Sequence, residues 1–151
     1  MSTHPTETWR NAMDRNQLLE WAEAHAAWSA DAWARGDQRR WTSAFADDVI
    51  AHIRRRMGPE SYRGVDGLVE RAWVLRDFFS DEVVVVVDVR PPFVVLYRIE
   101  MYDEPGNVVG ILIAHRLDSS GRIAEFVVYD DDAPSDEVDA AVSGLAERRR
   151  A

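Results

Sequence analysis

Seven consecutive residues, Val108-Val109-Gly110-Ile111-Leu112-Ile113-Ala114, carry no polar side chain. Side chains along a strand alternate between the two faces of a sheet, so a strand made of this run can turn neither face to water. Helices can cover one face, and something else must cover the other. Three more strand-like runs accompany it, Val83–Val89, Phe93–Tyr102 and Ile123–Tyr129, whereas helix signals fill the first half of the chain. The asymmetry points to a small α+β cup that pairs with a second copy of itself.

At 151 residues the chain has the size of one domain, enough for a real core and too short for two. A net charge of −9 argues against nucleic acid or an anionic membrane as partner, since both select clustered positive charge. Every basic residue is Arg, which excludes a Schiff-base lysine, and the absence of Cys excludes disulfides, thiolate metal sites and a cysteine nucleophile. The opening Met1-Ser2-Thr3-His4-Pro5 lacks the apolar stretch of a secretory signal, and no run approaches membrane-spanning length. A cytoplasmic location is expected.

From Thr6 to Arg35 the pattern is helical, with Leu18, Trp21, Ala22, His25, Ala26, Ser29 and Trp33 on one stripe. Gly36 ends this helix and Asp37 caps the next, expected over Gln38–Ala46. A short strand follows around Val49–Arg54, then a loop through Tyr62-Arg63-Gly64 and a helix over Asp66–Phe79, with Leu68, Ala72, Leu75 and Phe79 inward. Pro91-Pro92, Glu104-Pro105-Gly106-Asn107 and Asp118-Ser119-Ser120-Gly121 separate the later strands. Ser135 can cap a last helix over about 135–149, whose acidic start and basic end (Arg148–Arg150) suit the helix dipole.

The four His residues stand apart with no helical pair, no Gly-rich phosphate loop appears, and no Ser sits in a Gly-x-Ser-x-Gly elbow. No metal and no cofactor are expected. The residues that stand out are Arg98, Glu100 and Tyr102, alternate positions on one strand that form a polar row. Opposite them Phe93, Val95, Tyr97, Ile99 and Met101 form an apolar row. If the apolar row is the core, the polar row is merely solvated. If the polar row points into the cup, a buried carboxylate beside a guanidinium suits acid–base catalysis.

Other candidates have plainer readings. His25 on the helix stripe reads as a hydrogen-bonded core histidine, His52 as pointing away from any cup, and His115, on the face of Ile111 and Ile113, as an interface residue. Asp31 falls one residue off the stripe and is expected exposed. Arg54-Arg55-Arg56 reads as a solvated strand end, with the alternative that it attracts an anionic ligand at a rim. Trp33 and Trp73 can wall a pocket for an apolar ligand.

The order Ala34-Arg35-Gly36-Asp37, Phe45-Ala46-Asp47-Asp48-Val49, Tyr62-Arg63-Gly64-Val65-Asp66-Gly67-Leu68, Gly121-Arg122-Ile123 and Tyr129 resembles the SnoaL-like branch of the nuclear transport factor 2-like superfamily, over roughly Leu18 to Asp131. The resemblance implies a single domain shaped as a cone. A strongly curved mixed or antiparallel sheet would be wrapped by about three helices around an apolar cavity, often with a homodimer through the sheet face. Arg98-Ile99-Glu100 is similar to the inward Arg-x-Asp of limonene epoxide hydrolase. That enzyme's second aspartate would fall near Val128, the ketosteroid isomerase base near Ile53 and its oxyanion-hole acid near Ala114, so no mechanism transfers whole. The resemblance places Arg98 and Glu100 inside the cone and Tyr97, Ile99 and Met101 on the dimer face.

On this basis the expected activity is cofactor-independent acid–base chemistry on a small, largely apolar secondary metabolite. Polyketide- or terpenoid-like substrates fit, with epoxide opening, cyclisation, isomerisation or dehydration as the reaction. Glu100 would transfer the proton, Arg98 orient it and Tyr102 assist, while Trp33, Ile53, Trp73, Leu112, Phe126 and Val128 would shape the cavity. The alternative is a non-catalytic binding or interaction protein of the same fold.

Overall fold

The strand built from the apolar run, β5 (Val108–Leu117), lies between two antiparallel neighbours, β4 (Val94–Tyr102) and β6 (Ile123–Asp130). The computed structural model describes residues 5–103 and 105–148; Met1–His4, Glu104, Arg149 and Arg150, which entered the expectations above, lie outside the described residues. The sheet has six strands in the order β2-β1-β6-β5-β4-β3, completed by β1 (Phe45–Ile53), β2 (Glu60–Arg63) and β3 (Asp81–Arg90). Every pairing is antiparallel except β1 with β6, which is parallel.

Among the described residues four α-helices are arranged around it: α1 (Arg15–Ala34), α2 (Gln38–Thr42), α3 (Val65–Phe78) and α4 (Ser135–Arg148). α1 starts later than the helical pattern suggests. Asp14 closes a capping box with Gln17, its carboxylate accepting from Gln17 N at 2.9 Å while Gln17 Oε1 accepts from Asp14 N at 3.0 Å. A short 3₁₀ turn, Pro5–Thr8, precedes it. α2 also stops early. Thr42 Oγ1 donates to Gln38 O and Ser43 Oγ to Arg40 O, and Phe45 is drawn into parallel pairing with Ile123. The segment expected as a loop around Tyr62 is β2, held by pairing Ile50–Ile53 with Glu60–Arg63.

The two sheet faces are covered by different helices. On the inner face Val49, Ala51, Val89, Val95, Tyr97, Ile113 and Phe126 join Leu18, Trp21, Ala26 and Trp28 of α1 and Leu68 of α3 in one core. On the outer face Val138, Val142 and Leu145 of α4 pack on Val94, Leu96, Ala114, Val127 and Tyr129. The far part of the apolar run is therefore covered on both sides within one chain, Ile111 and Ile113 by the inner core and Leu112 and Ala114 by α4, where a second copy was expected. Val108 stays 54% exposed on the outer face.

Candidate functional site

Alternation along β4 decides what faces the hollow between the inner face and α3. Val95, Tyr97, Ile99 and Met101 point inward, Tyr97 into the core and Ile99 and Met101 onto the wall of a cavity of about 480 Å³. Ile53, Ile111, Ile113 and Val128 continue that wall with the aromatic rings of Trp33, Trp41, Phe45 and Phe126, and Leu68, Ala72 and Leu75 line it from α3. Trp33 is fixed by donating from Nε1 to Phe79 O at 2.8 Å, and its ring meets Trp41 at 5.7 Å.

The placement of Arg98, Glu100 and Tyr102 corrects the inward orientation. All three are on the outer face, across the sheet from the cavity. Arg98 Nη2 donates to Asp131 Oδ2 at 3.0 Å, Arg98 Nε approaches Glu100 Oε1 at 3.4 Å, and Tyr102 OH donates to Glu100 Oε2 at 2.5 Å. The Arg98 and Glu100 side chains remain 39% and 35% exposed. Glu100 is held below the usual carboxylate range by Tyr102 and then Arg98, so it stays an ordinary ionised surface acid. Gly110, opposite Glu100 on β5, leaves room for this row: a Cβ there would collide with the Asp131 carboxylate. The physical reason is the apolar row behind it. Reversing the faces would expose several large side chains, at roughly 1.5–3 kcal/mol each, and bury an ion pair in their place.

Tyr97, Ile99 and Met101 therefore occupy the core and cavity rather than a dimer face. His115 is likewise internal, not interfacial; it lies 5.0 Å from Tyr97, 5.9 Å from His25 and 6.3 Å from Phe126, ring to ring. Burial pushes its pKa down to about 3. His25 is buried on the α1 stripe and stacks on Trp21 at 5.5 Å. His52 points to the outer face, 2.8 Å from Glu125. Of the cavity residues read from sequence, Trp33, Ile53, Phe126 and Val128 are on its wall. Trp73 packs against Trp33 and Trp41, at 5.7 and 5.5 Å, outside the lining. Leu112 faces outward beneath α4.

Of the polar groups at the cavity, Glu82, Tyr62 and Arg71 were not singled out from the sequence, whereas Arg55 belongs to the Arg54–Arg56 run given a rim role as an alternative. Glu82, at the head of β3, shares the inward face with Val84 and Val86 and pairs with Met101. It is half-buried and makes no hydrogen bond or ion pair among the described residues; burial alone pushes its carboxyl up to about 8. Alternation back from Val84 would have found it had the strand been begun at Asp81 rather than Val83. Tyr62 is also on the wall, and burial raises its phenol to about 12. Arg71 stacks on that ring at 4.0 Å while donating to Glu60 (2.5 and 3.2 Å) and to Gly67 O (2.9 Å). Arg55 reaches the cavity from the end of β1, where Asp130 Oδ1 accepts from its Nε at 2.9 Å. No cluster of three metal-ligating side chains occurs among the described residues, and none of their helices is long and apolar enough to cross a membrane.

The sequence matches no family model and no curated protein. Solved structures do match in shape. A ketosteroid isomerase-like protein from Erwinia carotovora atroseptica superposes with a TM-score of 0.55 at 18% identity, over 78% of this chain and 98% of that one. A putative polyketide cyclase from Xanthomonas campestris pv. campestris gives 0.54 at 15% identity, over 84% and 98%. A Mycobacterium tuberculosis protein solved with estradiol-17β-hemisuccinate gives 0.54 at 14% identity, over 70% and 90%. At these identities the likeness is one of fold, and the fold of this chain is the nuclear transport factor 2-like cone.

Proposed function

We propose that the chain takes up a small, largely apolar organic molecule in the cone and acts on it by proton transfer at Glu82. The observation that carries this reading is the Glu82 carboxyl: inward-facing, without a partner among the described residues, and kept protonated near neutral pH by burial. A neutral carboxyl can donate to a carbonyl or epoxide oxygen, and the carboxylate left behind can take a proton from a neighbouring carbon. Isomerisation, dehydration, cyclisation and epoxide opening all fall within that chemistry. The Arg98–Glu100 pair cannot serve it, because the sheet stands between that pair and the cavity. Fold neighbours described as ketosteroid isomerase-like and as a polyketide cyclase, and one solved with a steroid ester, agree with a ligand of this class.

The test is a thermal-shift screen of cyclic ketones, epoxides and polyketide-like compounds, followed by Glu82→Gln on whichever compound is turned over. Binding should persist while turnover falls by about 100-fold or more. Unchanged turnover would assign the chemistry to another group.

A non-catalytic binding protein is the second reading. It is favoured by the apolar Ile53 and Val128 at positions where the resemblance would put catalytic groups. Binding without turnover of any compound would select it.

We also propose a homodimer through the part of the outer face that α4 leaves open. Val83, Val85 and Val87 of β3 stand 50%, 53% and 51% exposed there, beside the Arg98 row. A monomeric mass by light scattering at micromolar concentration would overturn it.

A further inference from the structure

The Arg54-Arg55-Arg56 run contains three guanidiniums with three different situations. Arg54 lies on the outward parity of β1 and is tied to β6 through its backbone, N donating to Val128 O at 2.8 Å. Arg56 is turned to solvent, 72% exposed, and its Nη1 donates to Asp132 Oδ1 at 2.8 Å. Arg55 follows Ile53 on the inward parity and is only 25% exposed. Its Nε is bound to Asp130, and Asp130 is itself held by Arg56 N at 2.9 Å. Those contacts keep the Asp130 carboxyl ionised, below its ordinary range, so the tether on Arg55 is a charge-assisted one.

The two terminal amino groups of Arg55 make no hydrogen bond among the described residues. Arg71, the other guanidinium on the cavity wall, differs in this respect, since Glu60 and Gly67 O occupy its Nε and both terminal nitrogens. Arg55 thus combines three properties of a ligand anchor. It is pinned by one nitrogen, it retains an unused donor fork, and it lines a hollow whose wall is mostly apolar. A guanidinium cannot lose its proton to escape an unfavourable environment, so its spare donors require water or a ligand oxygen.

From this we infer that the ligand carries an oxygen acceptor, either a carbonyl or a carboxylate, at the end that lies toward the close of β1, and that Arg55 binds it. The inference rests on the cavity being a ligand site, and it narrows the ligand to an apolar body with an acceptor at one end. Asp130 acts as the positioning residue for Arg55. Since Asp130 already balances one positive charge, a ketone oxygen needs only a donor, whereas a carboxylate also meets the Asp130 and Glu60 charges.

The test uses three probes sharing one fused-ring body: 2-methylnaphthalene, 2-acetonaphthone and 2-naphthoate, with Kd measured by equilibrium dialysis. Wild type should bind at least one oxygen-bearing probe about 10-fold or more tighter than 2-methylnaphthalene, in keeping with a hydrogen bond to a charged donor. Arg55→Met should bring that ratio to about one while leaving the affinity for 2-methylnaphthalene unchanged, which also reports an intact cavity. Arg56→Met, which removes the same charge from the exposed neighbour, should keep the ratio. Which probe gains tells ketone from carboxylate. No oxygen advantage in wild type, or an advantage that survives Arg55→Met, overturns the anchor and leaves the cavity reading standing. Failure of all three probes to bind overturns both.

Discussion

Glu100 and Met101 are consecutive on β4 and lie on opposite sides of the sheet: the carboxylate meets Tyr102 and Arg98 in solvent, and the thioether lines the cavity. Substitutions at the two should therefore have unrelated effects. Glu100→Gln is expected to leave ligand affinity as it is and to move the thermal midpoint little, since Glu100 is half-buried on the outer face and does not reach the cavity. Met101→Ala removes a 4%-exposed side chain. It should cost about 2 kcal/mol, the low end for such a truncation because the deleted atoms already border a void. Urea unfolding and probe dialysis on both variants check this. A loss of affinity in Glu100→Gln matching that in Met101→Ala would contradict the geometry.

Glu82 ties stability to alkaline pH. Its ordinary value is 4.5 and in the fold it rises to about 8. Below the lower value native and unfolded chains both hold the proton. Between the two only the native state does, so each rise in pH favours unfolding, and above about 8 both have lost it. Wild type should lose on the order of 3 kcal/mol of stability between about pH 5 and pH 8.5 relative to Glu82→Gln, which stays neutral throughout. Urea midpoints at several pH values give the slope. Parallel slopes in wild type and variant would place Glu82 in water.

His115 acts at the other end of the scale. Its ordinary value is 6.5 and burial lowers it to about 3. Above the ordinary value both states are neutral. As the pH falls through that interval only the unfolded chain takes up a proton, so the stabilisation is lost progressively toward pH 3. The titratable neighbours facing it are His25 and Tyr97, the latter buried in the core with its hydroxyl donating to Ala22 O at 3.5 Å. His115→Phe should flatten the acid limb by up to about 1.4 kcal/mol per pH unit. Superimposable acid limbs would show that His115 gains a proton within the native state.

Much of the cone was legible because alternation is a local property. The four long strands and the inward set on β4 follow from residues two apart, and that periodicity favoured the solvated reading of Arg98 and Glu100. The resemblance shifted the orientation because matching by motif fixes position along a strand more firmly than it fixes the face. β2 escaped notice since Glu60-Ser61-Tyr62-Arg63 has no apolar alternation and exists as a strand through pairing with β1. Asp14 and Gln17 carried a readable start signal for α1 that the unbroken helical pattern obscured. Arg55 lies at the opposite limit. Nothing within the Arg54–Arg56 run says which guanidinium is tethered with donors to spare; Asp130, 75 residues later, decides it.

α4 is predicted to be a structural cover of the sheet rather than an appendage. Leu145 is fully buried, and with Val138 and Val142 it covers Val94, Leu96, Ala114, Val127 and Tyr129. At its far end Arg148 donates to Glu125, a 2%-exposed carboxylate that also meets Arg116 at 3.1 Å and His52 at 2.8 Å. Burial pushes the Glu125 pKa up, but His52, Arg148 and Arg116 outweigh it and hold the group ionised. Leu145→Ala should cost about 3 kcal/mol in urea unfolding. Removing residues 135–151 should expose the outer apolar patch and drive the chain into larger assemblies, read as a concentration-dependent rise in mass by light scattering. If the truncated chain keeps both the mass and the urea midpoint of the full chain, the helix contributes nothing to covering the sheet.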